Sequence, residues 1–246
     1  MLTEKDAGRA QHVEVAGRLV ARPHRPAEPG SLGLRPLGLA EGRDGLIYVP
    51  SSHGVAPVSP LVVLLHGARG DGRTMLQPLQ PLADEAGLLL LAPDARRQTW
   101  DVILGGYGPD VRFLDQALAW AFDHYAVDAT RLAVGGFSDG ASYALSLGLM
   151  NGDLFSHVIA FSPGFTAPTE LEGMPRFFVS HGTHDGTLPI DSCSRRIVPQ
   201  LRRAGYDVHY REFDGGHTIP PKIAREAVDW FAAAEAFRES DLRRPS

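Results

Sequence analysis

Short unbroken apolar runs alternate with stretches of helical periodicity along most of this chain. Residues 61–65 and 88–92 are continuous apolar runs, the pattern of strands buried on both faces. Residues 131–135, 157–162, 176–180 and 208–213 read as four further strands. Between them the period changes. Residues 74–86 read as one helix, its geometry disturbed by Pro78 and Pro81. Residues 111–125 place Phe113, Leu114, Ala117, Leu118, Ala121 and Phe122 on one face, with Asp110 as the expected N-cap. Helices are also expected over 141–150, over 190–204 with Gly205 as its stop, and from Pro221 to about residue 237.

The first fifty residues have a different texture. Residues 1–12 are polar and expected to fray, and 13–21 are expected to form a short strand. Pro23, Pro26 and Pro29 then deny 22–30 a helix or a central strand. Residues 33–39 and 45–50 flank Glu41-Gly-Arg-Asp-Gly45 and are spaced as an antiparallel hairpin at a sheet edge. A polar tail, 239–246, closes the chain. Strands alternating with helices predict an α/β fold. The sheet should be mostly parallel with an antiparallel N-terminal edge, helices should cover both faces, and 13–238 should form a single domain.

Chemistry in such sheets collects at the carboxyl ends of the strands. Gly136-Phe-Ser-Asp-Gly140 follows one strand and precedes a helix, matching the G-x-S-x-G turn that lifts a serine hydroxyl above a sheet. With 27 glycines in 246 residues the pentapeptide alone is weak, so the other strand ends decide. His66-Gly-Ala-Arg-Gly70 follows the strand at 61–65 and lets backbone N–H groups approach a ligand. The donor pair expected for a developing oxyanion is the N–H of Ala68 and the N–H of Asp139. His66 reads as a structural hydrogen-bonding residue, because a triad needs one imidazole.

His181-Gly-Thr-His-Asp-Gly-Thr-Leu-Pro189 supplies Asp185 as the carboxylate behind an imidazole. A metal site from His181, His184 and Asp185 is disfavoured, because a loop lacks fixed ligand spacing and no further ligand cluster appears. Asp214-Gly-Gly-His217 supplies His217 as general base, and Asp214 is the rival acid. The order Ser138, Asp185, His217 is that of the α/β-hydrolases.

These four segments resemble the oxyanion loop, nucleophile elbow, acid loop and histidine loop of serine esterases of the α/β-hydrolase superfamily. The similarity is to the phospholipase/carboxylesterase and dienelactone-hydrolase-like branches and runs from about residue 61 to 237. It implies ester hydrolysis through an acyl-enzyme, with no metal or organic cofactor. The chain departs from the pattern at Asp139, where related enzymes often carry glutamine or asparagine.

Composition then narrows the partners. A net charge of -5 without a dense basic run argues against nucleic acid. A single cysteine, Cys193, excludes an intrachain disulfide and reads as an ordinary helix residue. The N-terminus lacks an apolar signal core, and no apolar run is long enough for a membrane span, so a soluble cytoplasmic protein is expected. The partner expected is a small-molecule ester substrate; a homodimer is compatible with the sequence. About a dozen residues between the strands near 160 and 176 leave no room for a large helical lid. Trp100, Ile103, Leu104, Tyr107, Phe165, Leu188 and Ile219 are the expected pocket walls, and the Arg96-Arg97 pair reads as solvated surface. A thioesterase, a peptidase, a short-chain polyester depolymerase or a non-catalytic binding protein on the same fold are the alternatives.

Overall fold

A computed structural model describes residues 17–26, 30–54 and 56–233 of the chain. The frayed start, the polar tail and the last turn expected of the final helix lie outside the described residues. The strands are β1 (Gly33–Pro36), β2 (Gly45–Val49), β3 (Ser59–Leu65), β4 (Leu89–Pro93), β5 (Val127–Phe137), β6 (His157–Phe161), β7 (Arg176–Gly182) and β8 (Val208–Phe213). They form one sheet in the order β1-β2-β4-β3-β5-β6-β7-β8. The β1–β2 and β2–β4 pairs are antiparallel, and the pairs from β4 to β8 are parallel. This is the predicted α/β sheet with its antiparallel edge.

Alternation along β3 shows why the interior strands are apolar throughout. Leu61, Val63 and Leu65 face a core shared with α3 (Pro109–His124), α4 (Asp139–Met150) and α5 (Ser194–Arg203). Val62 and Leu64 face a second core shared with α1 (Gly72–Leu76), α2 (Gln80–Ala86) and α6 (Pro221–Ala232). Each face of the sheet buries its own helical layer, so neither set of positions tolerates a polar residue.

Several expected boundaries move, each for a physical reason. The helix expected over 74–86 is two helices, because Pro81 starts α2 at its first turn and Pro78 sits in the break. Asp110 is not an N-cap: α3 starts from Gly108 with Pro109 in its first turn. The Asp110 carboxylate instead accepts the N–H groups of Arg96 at 2.6 Å and Asp101 at 2.7 Å, holding the long loop after β4. Residues 190–193 form turns ahead of α5 rather than its first turn. Residues 17–21, expected as the end of a strand, are irregular. Their backbone is satisfied by side chains instead of a ladder: Asn151 accepts from Leu19 N–H at 2.8 Å, and Asp115 accepts from Val20 and Ala21 at 2.7 and 2.8 Å.

The feature that positions the site is the contact between α4 and the end of β3. A Cβ on Gly140 would lie 2.1 Å from the Leu65 carbonyl oxygen and 2.5 Å from that of His66. Only a glycine lets the elbow approach β3 this closely. Gly140→Ala is therefore expected to cost about 3 kcal/mol, at the upper end for overpacking, because the obstruction is backbone and cannot rotate away. Urea unfolding measures it; a midpoint equal to wild type would mean the elbow is looser than drawn.

Candidate active site

Four strand ends bring their loops to one edge. Ser138 links β5 to α4 with φ 57° and ψ -119°, a conformation that costs a non-glycine residue about 1–3 kcal/mol. Its N–H is tied to the Phe161 carbonyl at 3.0 Å, and the residue is 8% exposed. Below it, Ser142 and Ser146 donate at one-turn intervals to the carbonyls of Ser138 and Ser142. The same two hydroxyls accept the N–H groups of Gly164 at 2.9 Å and Ala167 at 3.0 Å, pinning the loop after β6 to α4.

His217 lies with its ring 4.6 Å from that of Phe137, the residue before Ser138. Its Nδ1 is 2.6 Å from Asp185 Oδ2, and the Asp185 side chain is fully buried. Asp185 Oδ1 accepts the N–H groups of Thr187 at 2.9 Å and Leu188 at 2.8 Å. Burial alone would raise the Asp185 carboxyl, but the hydrogen bonds from Leu188, His217 and Thr187 outweigh it and hold the group below its ordinary value. The rival, Asp214, points outward with its side chain 92% exposed, paired to His184 at 3.0 Å. The acid and histidine loops are themselves joined, since Thr183 N–H donates to the Phe213 carbonyl and His184 N–H to that of Gly215.

Sequence reasoning gave no role to His181, which is buried behind the acid. Its Nε2 is 2.8 Å from the Leu188 carbonyl and 3.3 Å from Asp185 Oδ2, while Nδ1 is 2.6 Å from the Ser194 hydroxyl. A carbonyl only accepts, so Nε2 carries the proton and the serine hydroxyl donates to Nδ1. Burial holds the His181 imidazole below its ordinary value.

His66 is a structural residue, as expected. It is 1% exposed, and its Nδ1 lies 2.7 Å from the Gly67 carbonyl. Its Nε2 receives Ala95 N–H at 3.0 Å and lies 3.1 Å from Arg43 Nη2. Burial, the largest influence, keeps this imidazole below its ordinary value as well. Among the described residues, neither Ala68 N–H nor Asp139 N–H donates to any protein acceptor. The Asp139 carboxylate is engaged by the Thr99 hydroxyl, which donates to it at 2.5 Å.

A cavity of about 340 Å³ opens beside His217 and the His66–Gly70 loop. Thr74, Met75, Pro78, Phe137 and Ile219 line it. Of the expected walls only Ile219 is there. Trp100 is a correction: it is 1% exposed in the core, stacks on Tyr143, and donates from Nε1 to the His66 carbonyl at 2.8 Å. Its indole needs a buried partner, and the backbone beneath the loop supplies one. Tyr107 donates to the Ala167 carbonyl, and Ile103, Tyr107 and Phe165 pack against the core. Leu104 is 59% exposed, and Leu188 sits half-buried beside Gly164. Arg96 is also not a solvated pair member: its guanidinium lies 3.4 Å over the Phe113 ring, while Arg97 is exposed. Met75 and Pro78 had a signal, since they occupy the first turns after the oxyanion-type loop. Among the described residues no cluster of three metal-ligating side chains occurs, and no helix is long and apolar enough to cross a membrane.

An eight-stranded, mostly parallel sheet with a strained serine elbow and an imidazole–carboxylate pair at its carboxyl edge defines an α/β-hydrolase. The chain is a carboxylesterase-type hydrolase of that fold, and its residues 112–233 match the Phospholipase/Carboxylesterase family. Among solved structures it is similar to esterase PE8, with 26% identity, TM-score 0.63, and coverage of 76% of this chain and 96% of that one. The Bacillus cereus carboxylesterase shares 20% identity at TM-score 0.60, covering 74% of this chain and 92% of that one. The Staphylococcus aureus S-formylglutathione hydrolase shares 13% identity at TM-score 0.66, covering 82% and 98%; these last two show the fold alone. No curated protein matches the chain.

The buried neutral imidazoles set a pH dependence of stability. His66 and His181 have folded values below 6.5, so on acidification the unfolded chain takes up their protons first. Their contribution is whole above the unfolded value and is lost as pH falls toward the folded values. Asp185, depressed in the fold, adds a loss only at lower pH, as pH falls through its own folded value. The melting temperature is expected to fall steadily as pH drops from about 6.5 toward about 5. A flat profile across that window in thermal melts would contradict the neutral assignment.

Proposed function

We propose that Ser138, His217 and Asp185 form a catalytic triad that hydrolyses carboxylic esters of small to medium acyl groups through an acyl-enzyme. The observation that carries this reading is the 2.6 Å bond from His217 Nδ1 to a buried carboxylate whose other oxygen is already occupied by two N–H groups. The remaining oxygen, which His181 Nε2 approaches at 3.3 Å, fixes the His217 tautomer and stabilises the imidazolium. Nε2 is left to accept the Ser138 proton as the hydroxyl attacks the ester carbonyl. The N–H groups of Ala68 and Asp139, both unspent among the described residues, receive the developing oxyanion. His217 then gives its proton to the departing alcohol, and water repeats the sequence on the acyl-enzyme.

The cavity beside His217 supports the substrate class. At about 340 Å³ it lies near the lower bound of the roughly 300–1,000 Å³ typical of ligand pockets. Met75, Pro78, Phe137 and Ile219 offer an apolar wall without a formal charge. Thioester cleavage would use the same groups, and the likeness to an S-formylglutathione hydrolase makes a thioester the control substrate.

Two measurements test the reading. Wild-type protein should be labelled covalently by a fluorophosphonate, and Ser138→Ala should abolish the label and lower kcat by at least about 10⁴-fold. An unlabelled wild type would point to a binding protein on a hydrolase fold. Asp185→Asn should cost about 10⁴-fold in kcat while Asp214→Asn stays within about twofold; the opposite ranking would make Asp214 the acid. Initial rates on aryl esters of graded length should peak at short to medium acyl chains, above an aryl amide.

A further inference from the structure

Arg43 lies in the turn between β1 and β2, before the segment that matches the esterase family and in a part of the chain the triad does not use. Its side chain nevertheless reaches the oxyanion-type loop. Nε donates to the Ala95 carbonyl, and Nη2 donates to the Gly70 carbonyl at 2.8 Å and lies 3.1 Å from His66 Nε2.

A guanidinium has five donors and no acceptor, and it keeps its proton at any working pH. The Ala95 N–H also only donates, and it too is directed at His66 Nε2, at 3.0 Å. Two obligate donors on one nitrogen mean that Nε2 is bare. The ring proton is therefore on Nδ1, where it donates to the Gly67 carbonyl at 2.7 Å. That carbonyl and the Ala68 N–H belong to the same peptide unit. In a planar trans peptide the two point in opposite directions, and the described chain has no cis bond. Holding the Gly67 oxygen inward thus aims the Ala68 N–H outward. The next residues lock the turn: Gly70 N–H donates to the same Gly67 oxygen at 3.0 Å, and Arg69 N–H donates to the Gln98 carbonyl at 2.6 Å. Arg69 itself sits at φ 61°, a strained conformation that this framework holds in place.

We propose that Arg43 is a positioning residue for catalysis: by tying the bare Nε2 of His66 to the Gly70 and Ala95 carbonyls, it steadies the loop that sets the direction of the Ala68 N–H that receives the oxyanion. The inference rests on the serine-hydrolase reading above. Arg43 does not contact Ser138, and its effect passes through the His66 imidazole and the Gly70 carbonyl to the Gly67–Ala68 peptide plane.

The test is a double-mutant cycle with His66→Asn, whose side-chain amide can donate from about the Nδ1 position but offers no Nε2 to the arginine. Arg43→Met should lower kcat for an aryl ester by roughly 10- to 100-fold with KM nearly unchanged, the size expected for a misdirected oxyanion donor. In the His66→Asn background the same substitution should cost several-fold less than in wild type, because only the bonds to the Gly70 and Ala95 carbonyls are left for the arginine to make. Affinity for an aryl boronate, which mimics the tetrahedral oxyanion, should fall in step with kcat. The acid limb of the kcat/KM profile should not move, because His217 is untouched. Arg43→Lys keeps the charge and the fold but not the three-way fork, so it should fall between wild type and Arg43→Met, and millimolar guanidinium should partly rescue Arg43→Ala.

Additive losses in the cycle, a lowered melting temperature with wild-type kcat, or a displaced acid limb would each overturn the proposal. Its failure is separable from failure of the triad. If wild type labels with fluorophosphonate at Ser138 and Arg43→Met turns over normally, only this inference falls.

Discussion

The site depends on how closely the start of α4 approaches the end of β3. Gly140 brings its Cα against the Leu65 and His66 carbonyls, nearer than any side chain allows. That contact sets the distance between two loops that arrive from different strands, the serine elbow and His66–Gly70. The strain at Ser138 is the local consequence. A residue at φ 57° is tolerated because its N–H is bonded to β6 and its carbonyl accepts from Ala141 and Ser142. The hydroxyl is thereby raised above the strand ends on backbone that has no freedom to relax.

Around that contact the polar groups are held by neutral partners. Asp185, Asp101 and Asp110 each accept two or more N–H or O–H groups, so their orientation is set without a neighbouring cation as direct partner. Two buried imidazoles act in parallel positions. His66 holds the peptide of one proposed oxyanion donor, and His181 packs against the oxygen of Asp185 that faces His217. In both, an acceptor-only or donor-only partner dictates which nitrogen carries the proton. Arrangements of this kind cost little reorganisation when charge develops nearby, which is the condition for electrostatic stabilisation of a transition state.

The strand ends were legible in the sequence because they combine two independent signals, an apolar run and a polar, glycine-rich turn directly after it. Ser138, Asp185, His217 and the His66 loop were expected at strand ends on these signals and lie there, and the sheet with its antiparallel edge followed from the same alternation. What was missed has a common cause. Arg43, Thr99 and Asp110 act through contacts 14 to 40 positions away along the chain, and His181 through Ser194, 13 positions away; periodicity carries no record of those. Trp100 was misread for a related reason. An aromatic residue in a loop looks like a pocket wall until the backbone carbonyl that its indole requires is located. The pocket walls that went unrecognised come from the turns just after the His66 loop, where Met75 and Pro78 looked like ordinary helix residues.

Asp139 is where the elbow departs from the family pattern, and a carboxylate next to a proposed oxyanion donor would oppose the charge that donor is to stabilise. The geometry answers it in two parts. The N–H belongs to the backbone at the first turn of α4, where the helix leaves its leading amides unbonded, and it stays unspent among the described residues. The carboxylate is drawn away by the Thr99 hydroxyl, from the loop that Asp110 and Trp100 anchor beneath it. The long loop after β4 therefore serves the elbow without lining the cavity. It holds a charge that would oppose the proposed reaction in a hydrogen bond to Thr99. An elbow with aspartate after the serine needs such a hydroxyl, and a chain that kept Asp139 but lost Thr99 would leave that carboxylate free to swing toward the developing oxyanion.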